Sequence, residues 1–286
     1  MVDVDGNRRV ATLQVHWTTY AKERLVYRDA WLHLTERMES LVGELGIPLA
    51  RTELVWQMGK RLPAGGRWSQ TRFDKLVAGF EDENQDLRLV ATAWTWPGRV
   101  EPEEPAQMSV DARLKNPDDG EEVYVEVRTK HLTPEEEDRI AEEFASLLVP
   151  VAESVEAVWG AVIHDLVTGF AANTPFESWY ALGWDGRRAA KTHPRGYYWA
   201  NLLNATHVER LGGLESLVER GSPQGLLVQP INEGRLEGGA VVRIPSPVTR
   251  FTTDELRAVK DLLAPALLPV TPRRYRRRGT PRILPD

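Results

Sequence analysis

The sequence contains no cysteine. That absence removes disulfides, thiolate nucleophiles, iron–sulfur clusters and cysteine-rich zinc sites together. Nor is there a run approaching the roughly 20 apolar residues that span a bilayer, so no membrane span is expected. The opening residues, Met1-Val2-Asp3-Val4-Asp5-Gly6-Asn7-Arg8-Arg9, lack the apolar stretch after a basic start that marks a secretory signal. The cytoplasm is the expected compartment. Lysine is scarce beside arginine, 7 against 29, a composition expected of a high-GC bacterial genome rather than of one function.

The usual signatures of chemistry are missing too. The chain has no phosphate loop, dinucleotide fingerprint, serine elbow, zinc-protease helix or kinase set. Asp3-Val4-Asp5-Gly6-Asn7 starts like a calcium loop, but its glycine comes too early and no glutamate closes it. His16, His33, His131, His164, His193 and His207 are scattered, and none stands at a ligand spacing from another histidine or a carboxylate. His164 and Asp165 are adjacent, which on a helix points them about 100° apart. Structural roles are expected for all six. The reading is therefore no catalytic residue, no metal site and no cofactor.

What is present is enough chain, 286 residues, to bury a sizeable core. The net charge of −6 is unevenly spread. Arg273, Arg274, Arg276, Arg277 and Arg278 crowd the C-terminus, so the body is more acidic than the total suggests. Its acids cluster at Glu101-Glu103-Glu104, Asp118-Asp119-Glu121-Glu122 and Glu135-Glu136-Glu137-Asp138. Such a body attracts basic partners and repels nucleic acid. The plain reading of these clusters is solvated loops and helix faces. For the tail the plain reading is a solubilising segment. Its sharper readings are contact with nucleic acid or an anionic membrane, or folding back onto the acidic body.

Periodicity sorts the rest into elements. Residues 10–17 alternate as a half-buried strand does. Tyr27, Trp31, Leu34, Met38, Leu41 and Leu45 share one helical face, stopped by Gly46 and Pro48. Leu54–Met58 reads as a strand, Trp68–Phe80 as a helix and Leu87–Trp96 as a strand. Met108–Leu114 and Val123–Arg128 form a hairpin around Asn116-Pro117-Asp118-Asp119-Gly120. Thr133-Pro134-Glu135-Glu136 is a helix start with capping box and N1 proline. Pro150 is expected to break or kink that helix, with Val151, Val155, Val158, Val162 and Leu166 continuing it. Short helices follow at 205–211 and 214–220. Leu226–Ile231 and Ala240–Ile244 are strands on a glycine-rich turn, and Thr252-Thr253-Asp254-Glu255 caps a last helix.

The irregular, aromatic-rich stretch between 169 and 200 holds Trp179, Tyr180, Trp184, Tyr197, Tyr198 and Trp199. Large amphipathic rings in such a region serve either as core beneath a long loop or as a partner-binding surface. They are carried forward as candidate partner contacts, and the five tail arginines as candidate tail contacts.

Pro194-Arg195-Gly196-Tyr197-Tyr198-Trp199-Ala200-Asn201-Leu202-Leu203, followed by His207-Val208-Glu209-Arg210-Leu211-Gly212-Gly213, resembles the immunity protein 52 group of bacterial polymorphic-toxin and type VI secretion immunity proteins. The likeness covers roughly residues 135–270. It implies a toxin inhibitor that acts by direct protein–protein binding, with a cognate toxin as partner and no catalytic residue. The alternatives are a structural or assembly subunit using its arginine tail, with nucleic acid reached only through that tail, and an enzyme whose residues are dispersed in sequence. The fold expected is α+β, mostly antiparallel sheet with long amphipathic helices on one face. Residues 1–270 form one domain or two halves, 1–130 and 131–270, and 271–286 form a flexible basic tail.

Overall fold

A computed structural model describes residues 12–59, 61–82, 86–100, 106–114, 120–165, 174–180, 182 and 184–269, with backbone alone at 165, 178, 179 and 184. The arginines of 273–278, the acids of 101–104 and 118–119, and the calcium-like start at 3–7 lie outside these residues.

The fold is α+β. Its elements in chain order are β1 (Thr12–Thr19), α1 (Arg24–Glu44), β2 (Ala50–Met58), β3 (Ala64–Arg67), α2 (Gln70–Gly79), β4 (Leu87–Thr95), β5 (Met108–Arg113), β6 (Glu121–Arg128), α3 (Pro134–Ser154), β7 (Ala157–Asp165), α4 (Pro175–Tyr180), α5 (Trp184–Arg188), β8 (Ala200–Leu203), α6 (Ala205–Arg210), α7 (Leu214–Gly221), β9 (Leu227–Pro230), β10 (Ala240–Arg243) and α8 (Thr253–Leu263). The strands join in one ten-stranded sheet ordered β3-β2-β4-β5-β6-β1-β7-β8-β10-β9. Every pairing between these strands is antiparallel. The first strand of the chain sits at the seam, between β6 of the N-terminal half and β7 of the C-terminal half.

Helix ends form where the local chemistry asks for them. Thr133 accepts from Glu136 N, and the Glu136 carboxylate receives Thr133 N at 2.8 Å, so the reciprocal box is made. Thr252 and Glu255 repeat it at α8. The expected break at Pro150 does not occur. The helix runs through to Ser154 because Pro150 lies on its exposed side, where water can satisfy the freed carbonyl. The chain leaves α3 instead at Glu156, whose φ of 54° is left-handed. The valines beyond it are strand: Val158 and Val162 belong to β7, and their three- and four-residue spacing mimics a helix by coincidence with a β-branched run.

Strand alternation splits the central sheet into two faces. One carries Leu13, Val15 and Trp17 of β1, Val123, Val125 and Val127 of β6, and Met108, Val110 and Ala112 of β5, all at most 2% exposed. Helices α1 and α3 meet residues of this face. Trp17 Nε1 donates to Leu148 O of α3 at 3.0 Å, and Trp94 Nε1 of β4 donates to Glu39 of α1 at 2.8 Å. Arg37 and Glu143 tie the two helices together at 2.7 Å.

The other face of the same strands is polar and buried as well. The sequence alternation foretells a wet face there, and the structure corrects it. Glu122 is fully buried and Glu121 and Glu137 nearly so, which removes them from the solvated acidic clusters.

Candidate functional site

Three neighbouring strands build a grid of nine side chains on the second face. Their registers set Ser109, Glu126 and Gln14 in one row, Asp111, Tyr124 and His16 in the next, and Arg113, Glu122 and Thr18 in the third. Each row crosses β5, β6 and β1 in turn. No member is more than 9% exposed. Trp159, Ala161 and Ile163 of β7 border the grid on the β1 side.

The third row is locked from above by the segment between β7 and β8. Arg195 is fully buried and forks onto Glu177, Nε to Oε1 and Nη2 to Oε2, both at 2.7 Å. Its Nη1 reaches down to Thr18 Oγ1 at 2.7 Å and Glu122 Oε1 at 2.8 Å. Trp159 presents its ring 5.3 Å from the guanidinium carbon. Glu122 also pairs with Arg187 of α5 at 3.5 Å and Arg113 at 3.9 Å. Burial disfavours the Glu122 charge, but Arg195, Arg187 and Arg113 outweigh it and hold the carboxyl below its ordinary range. Arg195 is likewise held up by Glu177 and Glu122 against the cost of its burial. Arg187, less completely compensated, is pushed down by burial.

Local chemistry positions this lock. Thr174 stands before α4, gives its N–H to Glu177 Oε2 at 2.8 Å and accepts Glu177 N at 3.2 Å, which aims the carboxylate at Arg195. The carbonyl of Arg195 accepts Thr174 Oγ1 at 3.0 Å and the Tyr198 hydroxyl at 3.1 Å. Gly196 follows with φ of +140°, and a Cβ there would run into the Tyr198 hydroxyl. The glycine is required by that close approach.

The first two rows differ in kind. The Asp111 carboxylate accepts Ser109 Oγ at 2.7 Å and the Tyr124 hydroxyl at 3.0 Å. Arg113 Nη2 in turn donates to the Tyr124 hydroxyl at 2.6 Å. Burial pushes Asp111 up to about 6, with Arg113 opposing. Glu126 accepts from Gln14 Nε2 at 2.5 Å, and burial together with Asp111 raises it too. His16 lies on Gln14 Oε1 at 3.1 Å through Nε2 and stacks on Tyr124 with ring centroids 5.0 Å apart. Burial drives it down to about 3, so it is neutral at pH 7. With Nε2 as the donor, Nδ1 is an acceptor, and it has no hydrogen-bond partner among the described residues.

His207 offers a control. It too is buried and neutral, lowered to about 3, yet both its nitrogens are used: Nε2 on Ala190 O at 2.9 Å and Nδ1 on Asn204 N at 3.3 Å at the start of α6. The structural role expected of it is what its bonds describe.

Four of the six aromatic candidates are buried. Tyr180, Tyr197, Tyr198 and Trp199 are 4, 1, 5 and 1% exposed and fill the core, with Phe176 against both Tyr180 and Tyr197. Trp199 Nε1 is satisfied by Ser246 O at 2.8 Å. They serve as packing because the irregular segment that carries them is the cover of the sheet's second face. The side chains of Trp179 and Trp184 are outside the described residues, as are Arg273, Arg274, Arg276, Arg277 and Arg278. Among the described residues the large apolar side chains that do face water are Leu25, Leu62 and Leu227, at 44, 88 and 48%.

Among the described residues no three His, Asp or Glu side chains are placed to hold a metal ion. No helix among them is long and apolar enough to cross a membrane.

The grid went unmarked in sequence because its members are ordinary one at a time. The signal was there in Glu122-Val123-Tyr124-Val125-Glu126-Val127 and Ser109-Val110-Asp111-Ala112-Arg113, where polar and apolar residues alternate. Only the pairing of strands makes them neighbours.

No family model matches the chain, and no curated protein matches it. The resemblance of residues 135–270 to the immunity protein 52 group thus has no family match behind it. Among solved structures the chain is similar to one described as the Pseudomonas aeruginosa T6SS protein PA0821, with a TM-score of 0.57 and 13% identity over 90% of this chain and 73% of that one. At that identity the likeness is one of fold.

Proposed function

We propose that this chain is a non-catalytic binding protein of the immunity kind, which neutralises a cognate bacterial toxin by direct contact in the cytoplasm. The observation that carries the reading is the shared fold with a T6SS protein along 90% of the chain. It is joined by the resemblance of residues 194–213 to an immunity group. The buried ion lock adds to it, because paired charges sealed from water hold a shape and do not turn over a substrate. An inhibitor needs a rigid, pre-organised surface more than it needs reactive groups.

With Phe176, Tyr180, Tyr197, Tyr198 and Trp199 in the core, the contact surface is drawn from exposed side chains. Leu62, on the connection between β2 and β3 beside Arg61, is the most exposed large apolar side chain among the described residues. Exposed acids such as Glu135 and Glu142 on α3 suit a basic partner.

The test is a pull-down of tagged full-length chain from its native lysate, together with co-expression against each neighbouring-gene product. One stoichiometric partner that withstands high salt, and is toxic unless this chain is present, is the expected result. Return of the chain alone, with no neighbour it detoxifies, overturns the reading. A chain lacking residues 271–286 should behave as the full chain does. If partner capture is lost with that segment, the assembly-subunit reading replaces this one.

A further inference from the structure

The sheet ends in two edge strands, β3 and β9, and they are finished differently. An edge strand leaves every second backbone N–H and C=O without a ladder partner, and such rows are usually blunted. At β9, Ile231 N reaches Gly239 O at 3.0 Å, so Ile231, Gln229 and Leu227 bond inward to β10. Val228 and Pro230 face outward, and Pro230 has no N–H to give. At β3, Trp68 N reaches Thr52 O at 3.0 Å, so Trp68, Gly66 and Ala64 bond inward to β2. Gly65 and Arg67 turn their backbone groups outward, and both residues are exposed.

One of those outward groups is already taken. Arg72 Nη1 of α2 donates to the Arg67 carbonyl at 2.8 Å. It arrives from the α2 side, since a Cβ on Gly66 would stand 2.8 Å from the same nitrogen. Gly65 N–H, Gly65 C=O and Arg67 N–H are left. An antiparallel strand that pairs here must exchange both bonds with Gly65 and offer an acceptor to Arg67 N–H. It must also bring no N–H to the Arg67 carbonyl, and proline is the residue that meets this condition. The chain carries Pro63 two residues before Gly65, at the same outward parity. When Gly65 is laid against Gly65 of a second copy, Arg67 falls opposite Pro63. Arg67 N–H then meets the Pro63 carbonyl, and the proline ring faces the carbonyl that Arg72 holds. The same register sets Leu62 opposite Trp68. Leu62 is 88% exposed, and Trp68 is half-buried with no hydrogen-bond partner for Nε1 among the described residues. Twofold symmetry makes each contact twice.

We propose that β3 is the edge through which two copies of this chain pair, in register at Gly65, to form one continuous antiparallel sheet. So short an edge, with Leu62 at each end, makes a weak and reversible dimer rather than an obligate one. In the dimer Leu62 faces the second copy, and the exposed acids of α3 are left to the toxin. The pairing is separate from toxin capture and is measured on the chain alone.

The experiment is sedimentation velocity of the full chain from about 5 to about 300 μM, the range suited to a weak interface. The mass should climb from 32.3 kDa toward twice that value. Gly65→Pro removes the outward N–H and spares the bonds to β2, and Leu62→Asp puts a charge at each end of the interface. Each should weaken dimerisation at least tenfold. The register is read by crosslinking, because the chain has no thiol of its own. Opposed Cα atoms at position 65 would lie about 5.5 Å apart, within disulfide reach. Gly65→Cys should therefore give a covalent dimer under mild oxidation, and Arg67→Cys, offset by about 13 Å along the strands, should not. If Gly65→Pro fails to fold, Leu62→Asp, at an exposed side chain, carries the test. A mass of one chain at every concentration, a dimer that survives both substitutions, or equal crosslinking at 65 and 67 would overturn the proposal. A monomeric chain that loses toxin capture with Gly65→Pro would give the edge to a strand of the toxin instead. Toxin capture by a chain that never dimerises would overturn this inference and leave the proposed function standing.

Discussion

The two faces of the central sheet are equally buried and held by opposite physics. Under α1 and α3, valine, leucine and tryptophan give a face whose cohesion is additive and forgiving, because each side chain contributes its own area. On the other face Thr18, Glu122, Glu177, Arg187 and Arg195 form a set in which each charge is tolerable only because the others are present. A core can thus be made of independent small gains or of mutually dependent large terms. The second kind specifies where the 174–199 segment docks.

The largest effect should come from breaking that dependence. Arg195→Ala leaves Glu122 and Glu177 buried beside an empty position and should cost about 3–5 kcal/mol in denaturant unfolding. The double change Glu177→Leu with Arg195→Met should recover most of this loss, since Glu122 keeps Arg187 and Arg113. Failure to recover would show that the ion lock does more than satisfy itself. On the apolar face, Leu13→Ala should cost about 2–5 kcal/mol. A second apolar truncation more than about 10 Å away should add to it, where a second charge removal near Arg195 would not.

Acid should separate the faces next. His16 and His207 are held neutral, with folded values near 3 against 6.5 unfolded. The unfolded chain therefore binds their protons first, and stability falls as pH drops below about 6.5, by about 1.4 kcal/mol per unit for each. Asp111 runs the other way. Raised to about 6, it costs stability at neutral pH, and that cost is relieved between about 6 and 3.8. Unfolding midpoints measured from pH 7 to 4 should therefore fall less steeply in His16→Gln and more steeply in Asp111→Asn than in the wild type. The smallest effect belongs to the helix caps: Thr133→Ala should cost about 1 kcal/mol, checked by the same unfolding measurement.

Much of the fold was legible along the chain. The hairpin of β5 and β6, the capped starts of α3 and α8, and the glycine turn between β9 and β10 fall where alternation and capping residues put them. The second face was not legible. Alternation in Gln14-Val15-His16-Trp17 says that every other residue differs in kind; it does not say that both kinds are buried. The aromatics near 197–199 were legible as core or as a partner surface, and only the fold places them in the core, because what covers a sheet is a long-range matter.

By itself the sequence determined the elements, since period, caps and turns are properties of neighbours in the chain and act over a few residues. It also determined that no thiol chemistry is available, since the chain has no cysteine. Tertiary structure alone decided that β1 joins the two halves and that Arg195 meets Glu122 across 73 positions. It also put Asp111, Glu126 and His16 together in the core. Those facts depend on which surfaces exclude water together, and no local pattern encodes that.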